Sequence, residues 1–204
     1  NTKTQSWEKV ESGSTSISKV TFDLNFSQWH NGPKMDMNDI LYSVYFLSEW
    51  GSEKTINDKT YDSNFSPQAV QNVNSLAGFR IIDSDTIEVY TNYWHFDESQ
   101  IASWAGIWST TPWEIMSAME KSVIDGKVAF SRSDAATKNI SWLSLIVPLD
   151  ARIIQETLEY YEESQYIPSA LNQFETGNEY FENRYQKSID WITKYDHAII
   201  SNGP

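Results

Sequence analysis

The chain has 204 residues, of which 40% are hydrophobic and 14% aromatic, with nine Trp and eleven Tyr. That apolar content suits one well-buried core or two small ones and argues against a disordered segment. A formal net charge of −13, without any cluster of Lys and Arg, argues against a nucleic-acid partner or an anionic membrane surface.

There is no Cys, so neither a disulfide framework nor thiolate chemistry is available and stability must come from packing. No apolar run approaches the roughly 18 residues that a membrane span requires. The chain starts at Asn1 without Met and stops on Ser201-Asn202-Gly203-Pro204, which reads as a single lobe excised from a longer polypeptide.

The first clear element is Lys19 to Phe26, where Val20, Phe22, Leu24 and Phe26 alternate with polar residues. Period-2 alternation predicts a half-buried strand. Ser12 to Ser16 reads as a loop, and the Trp7 segment before it as a possible partner strand. Trp29-His30-Asn31-Gly32-Pro33 is a turn by its Asn-Gly and Gly-Pro pairs. Asp36 then stands as an N-cap with Asp39 in the first turn. Met37, Ile40, Leu41, Val44 and Leu47 follow at helical spacing and predict a buried-face helix over 37–50.

Residues 51–65 are polar and loop-like, and Ser66-Pro67 opens a short helix. Phe79 to Ile82 and Thr86 to Tyr90 flank Asp83-Ser84-Asp85 as a hairpin. Helices are expected from Asp97-Glu98 and from Thr111-Pro112, the second ending near Asp125-Gly126. Beyond that the chain reads as mainly helical, with Asp150 capping one segment and a long last helix after Gly177. Strands and a hairpin followed by helices define an α+β fold with a small antiparallel or mixed sheet. Residues 1–125 form its mixed part and 126–204 its mainly helical part.

The run Trp29 to Ile40 resembles a signature of family-5 extracellular solute-binding proteins, the oligopeptide- and dipeptide-binding components of ABC importers. There an alternating strand leads into a Trp-His-Asp-Gly-like turn, a Thr cap and a helix starting Ala-Glu-Asp-Val. Ser6-Trp7-Glu8 looks like the family's Trp-bearing strand, Ile82-Asp83-Ser84-Asp85-Thr86-Ile87 like its hairpin, and Ile199 to Pro204, with its Ser-Asn-Gly-Pro, like its Gly-x-Gly-Pro element. Trp7, Trp29, His30, Gly32, Asp36, Asp39, Asp83, Thr86, Gly203 and Pro204 carry this resemblance as structural residues. Asn31 stands where the family usually has Asp, Asp36 replaces the Thr cap, and Met37 replaces Ala. Residues 120–197 are longer than in the bacterial peptide binders and look more like archaeal members.

The resemblance implies the middle lobe of a type II binding-protein fold, in a receptor that closes its lobes around a ligand and delivers it to a membrane permease. Implied with it are a peptide ligand, contact with the remaining lobes of the same chain, and an extracellular place on the cell surface, with membrane anchoring through a segment outside these residues. No enzyme activity, catalytic residue, metal or cofactor is expected, and few ligand contacts fall on this lobe. An oligosaccharide receptor of the same family is the runner-up. A carbohydrate-binding or adhesion module working without a permease is the alternative from another class.

The candidate ligand-binding residues are Trp104, Trp108 and Trp113. The first two are i, i+4 and share a face if helical, so exposed they form a stacking platform and buried they form core, the favoured reading. Trp29-His30, Trp94-His95 and His197 lack the spacing of metal ligands, and packing is the favoured role for them. Acidic pairs such as Asp97/Glu98 and Glu162/Glu163 have cap duties or lie on solvated helix faces, and no hydrolase, phosphate-loop or zinc motif is present. Asn25, Asn64 and Asn139 begin glycosylation sequons, that of Asn64 weakened by Pro67.

Overall fold

Alternation, capping and turn chemistry act over a few residues. The strand after Ser16, the cap at Asp36 and the 83–85 hairpin fold close to their expected places, while the helix expected from Ser66-Pro67 runs into residues outside the described ones. The computed structural model describes residues 1, 4, 6–67, 73–172 and 177–202, with side chains described as far as Lys194. Contacts divide the chain into two compact units, residues 1–27 with 36–110 and residues 28–35 with 111–204. The fold is α+β, with an antiparallel three-stranded sheet and six described helices, most of them in the C-terminal half.

In the first unit, β1 (Ser18–Asp23), β2 (Leu76–Ile81) and β3 (Thr86–Thr91) form an antiparallel sheet in the order β1-β3-β2. The register sets Val20 opposite Val89 and Phe22 opposite Ile87, with Phe79 and Ile81 against the same two β3 residues from the other side. Val89 and Ile87 are fully buried because the central strand has apolar neighbours on both edges. The 83–85 connection is closed by Asp83, whose Oδ1 accepts from the backbone N–H groups of Asp85 (3.2 Å) and Thr86 (2.8 Å). Hydrogen bonding from Thr86 holds the Asp83 carboxyl below the usual range, while the adjoining Asp83 raises that of Asp85.

Helix α1 (Met37–Trp50) starts on a capping box. Asp36 Oδ1 accepts from the Asn38 N–H (2.9 Å), and Asp39 Oδ2 accepts from the Asp36 N–H (3.0 Å). Asp39 is fully buried, and the two carboxylates satisfy backbone donors at the helix start. Ile40, Leu41, Val44 and Trp50 are buried with it. Helix α2 (Glu98–Trp104) is capped by Asp97, which accepts from the Ser99 N–H at 2.9 Å.

The Trp7 segment departs from expectation. It is not a strand, and β3 is the partner of β1 among the described residues. Trp7 instead packs edge-on against Phe79 at 5.3 Å and tilted against Tyr45 at 6.2 Å. A ring contact, not a backbone ladder, fixes this segment.

In the second unit, the turn after β1 is closed by Gly32 N–H to the Trp29 carbonyl and Trp29 N–H to the Pro33 carbonyl, both 2.9 Å. Gly32 has φ +99°, a conformation that favours glycine. Helices α3 (Trp113–Ile124), α5 (Pro148–Glu163) and α6 (Asn178–Asn202) pack together. Their core is Ile115, Ile154, Leu158, Phe181, Tyr185 and Ile192, all buried. A short α4 (Arg132–Lys138) is flanked by two-residue strands β4 (Val128–Ala129) and β5 (Ser141–Trp142), which pair in parallel.

Asp150 is not the N-cap expected of it. The helix begins at Pro148, and buried Asp150 lies in its first turn. Its Oδ2 accepts from the Ser144 N–H (2.9 Å) and the Ser141 hydroxyl (3.1 Å), tying the preceding loop to the helix start. Pro148 at the first helical position, and not Asp150, marks the start. Gly203 and Pro204 lie outside the described residues; the backbone from Ile199 to Asn202 continues α6.

Candidate functional site

The first unit carries a cavity of about 210 Å³ walled by Trp104 and Trp108. Trp104 is the last residue of α2, and its place is fixed twice. Its indole N–H donates to the Ser75 hydroxyl at 2.6 Å, and the Tyr93 ring stacks on it at 4.7 Å. Trp108 lies beyond the helix end, so the two Trp are not related by a helical i, i+4 step. They meet at one cavity because the chain turns at Ala105-Gly106.

Gly106 makes that turn possible. A Cβ there would lie 2.5 Å from Trp108 Nε1 and 3.2 Å from the Ser103 carbonyl oxygen. The Trp108 ring packs edge-on against Phe22 at 5.3 Å yet remains 57% exposed. One edge is therefore fixed while much of the ring stays open to solvent.

Val44 and Leu47 of α1, with Val73 and Leu76, supply the apolar lining. Three hydroxyls also line the cavity, Ser43, Ser75 and Thr91. Ser43 Oγ donates to the Trp108 carbonyl (3.1 Å) and Thr91 Oγ1 to the Ser75 carbonyl (3.1 Å). The Ser43 and Thr91 hydroxyls and the Trp104 indole thus direct their hydrogens into the wall. None of the described lining residues is charged. Sequence reasoning missed Ser43, Ser75, Thr91 and Gly106 here. The available signal was a polar Ser43 inside the apolar face of α1 and a glycine between two Trp.

Trp113 is elsewhere, fully buried in the second unit at the start of α3. It is packed by Phe181 and Tyr185 edge-on at 5.5 and 5.6 Å, and its N–H donates to the Tyr180 hydroxyl at 3.0 Å. The Arg184 guanidinium lies 5.5 Å from the centre of its ring.

Beside it, fully buried Glu114 accepts from Arg184 at 2.7 and 2.8 Å through Oε2. Its Oε1 accepts from the Asn31 amide and the Ser188 hydroxyl, both 2.9 Å. Arg184 also donates to the Lys34 carbonyl at 2.9 Å, which fastens the 28–35 turn to α6. A buried charge is tolerable only when paired and hydrogen-bonded in this way.

Asn31 therefore has a duty that the turn alone did not reveal. Its amide faces a carboxylate, where an Asp would set two anions together. This is a physical reason for an amide, and not a carboxylate, at this turn.

Trp29 is half-buried and His30 exposed. His95 accepts from the Asp97 N–H through Nδ1 (3.0 Å) and stacks between Tyr93 and Phe96, in a local ring cluster. The side chain of His197 lies outside the described residues. Among the described residues no three His, Asp or Glu side chains converge as a metal site, and no helix is long and apolar enough to cross a membrane. Asn25, Asn64 and Asn139 are all exposed, Asn139 in the left-handed conformation that ends α4.

No protein-family model matches the sequence, and no curated protein matches it.

Proposed function

We propose that this chain is a lobe of the type II binding-protein fold, from the solute-binding component of an ABC importer that captures extracellular peptides by lobe closure. The strand–turn–capped-helix device at residues 18–50 carries the reading. β1 leads into a glycine turn and then a capping box, in the order of the signature that the sequence resembles. The Asp83 hairpin, placed downstream as in that family, supports it further. An aromatic-walled cavity whose described lining residues carry no charge is compatible with a binding role.

Thermal-shift screening of the whole gene product against peptide and oligosaccharide libraries tests this. A peptide at a hundredfold excess over Kd is expected to add about 2.7 kcal/mol of stability. A response to sugars alone would favour the oligosaccharide receptor. A whole product that binds neither class, or that joins these residues to a catalytic domain, would refute the transport reading.

A further inference from the structure

We infer that the cavity between Trp104 and Trp108 is a side-chain subsite that takes one uncharged aromatic ring of a peptide ligand. The inference rests on the proposed binding role, and it names the ligand chemistry that this role leaves open.

Size comes first. Pockets that enclose drug-sized ligands run from roughly 300 to 1,000 Å³. A volume of about 210 Å³ falls below that range and suits a single ring with its methylene. An oligosaccharide would bury one of its rings at most.

Charge comes second. The described lining residues include no Lys, Arg, Asp or Glu, so a free amino acid's ammonium and carboxylate would be stripped of water without a counter-charge. A side chain held on an amide backbone carries no such penalty.

Hydrogen bonding separates the ring of a peptide from that of a sugar. A sugar has several hydroxyls around its ring, each needing a partner once desolvated. The wall's Ser43 and Thr91 hydroxyls already donate to carbonyls, and the Trp104 indole already donates to Ser75. Those oxygens can still accept, and Ser75 and the Trp108 indole N–H add polar edges. Most of the described wall is nevertheless indole and aliphatic carbon, the surface on which an aromatic ring stacks or packs edge-on. Trp104 is braced by Tyr93 and Ser75 and Trp108 by Phe22, so the slot is formed before any ligand arrives.

The test uses the 204-residue chain with 15N-labelled indoles and N-acetyl-L-phenylalaninamide as probe. The Trp104 N–H signal is assigned by its loss in Trp104→Phe. A saturable shift of that signal is expected, with a much smaller response to free phenylalanine and to cellobiose. Trp108→Ala removes one wall at a largely exposed position, where folding tolerates the change, and is expected to weaken binding roughly tenfold. Leu47→Trp fills the slot and should abolish the shift.

A Trp104 signal that does not respond to the probe, or a response unchanged in both Trp108→Ala and Leu47→Trp, would overturn the subsite. So would a stronger response to cellobiose. Peptide binding by the whole product alongside a silent Trp104 would sink the subsite and spare the transport reading. A responding Trp104 in a product that binds no peptide would sink the transport reading instead.

Discussion

Replacing Asn31 with Asp tests the account of the buried Glu114 cluster most directly. The Asn31 amide donates to Glu114 Oε1 at 2.9 Å and to the Ser188 hydroxyl at 2.6 Å, and both partners are buried. In Asn31→Asp the donor becomes a second carboxylate oxygen at that separation. Two unit charges there repel by about 6 kcal/mol at an effective dielectric of about 20.

Protonating one of the two carboxyls is the cheaper course. Holding a proton at pH 7 on a group whose unfolded pKa is about 3.9 costs roughly 4 kcal/mol, at about 1.4 kcal/mol per pH unit. Attraction to Arg184 reduces this, so a loss of about 2 to 4 kcal/mol at pH 7 is expected, a large fraction of a typical domain's stability.

The sign with pH follows from proton counting. The folded variant holds one proton more than its unfolded chain above pH about 3.9, so its deficit grows as pH rises and fades as pH falls toward 4. Urea unfolding of wild type and variant at pH 5, 6 and 7, followed by Trp fluorescence, measures it. A variant as stable as wild type at pH 7, or a deficit that does not change with pH, would refute the reasoning.

Three further outcomes follow from the same structure. Asp36→Ala removes the acceptor for the Asn38 N–H and should lower unfolding stability by about 1 kcal/mol, with Asp36→Asn nearly neutral in the same urea titration. Arg184→Met leaves buried Glu114 without its counter-charge and should cost roughly 3 to 5 kcal/mol. The Glu114→Gln/Arg184→Met double variant should recover much of that loss, giving a large coupling energy in a double-mutant cycle. Burial pushes the hydroxyls of Tyr161 and Tyr185 well above the ordinary tyrosine range. Their contribution to stability is complete below pH about 10 and is lost as pH rises beyond it, so absorbance titration should show these two ionising only together with alkaline unfolding.

Much of the architecture was legible locally. Alternation from Val20 to Phe26 marked β1, Asp36 and Asp39 marked the start of α1, and Asp83 marked the hairpin. Each of these signals is a relation between residues a few positions apart, and the backbone bonds it governs are equally short in range. Local reading failed where a contact crosses the sequence. Trp7 is held by a ring contact with Phe79 and not by a ladder, and Asp150 lies in the first turn of a helix that Pro148 begins.

Composition and short-range pattern determined that this chain is α+β, where its main helices begin, and that its turns need Gly32 and Asp83. Only the tertiary structure decided that Trp104 and Trp108 wall one cavity while Trp113 belongs to a different core. It alone brought Arg184 to Glu114, 70 residues away in sequence, and Asn31 to the same carboxylate from 83 residues away. The physical reason is that a side chain's helical or strand face is set by its neighbours, whereas its partner across the core is set by how whole elements pack. A tryptophan's role as wall or as core is therefore decided at the second level.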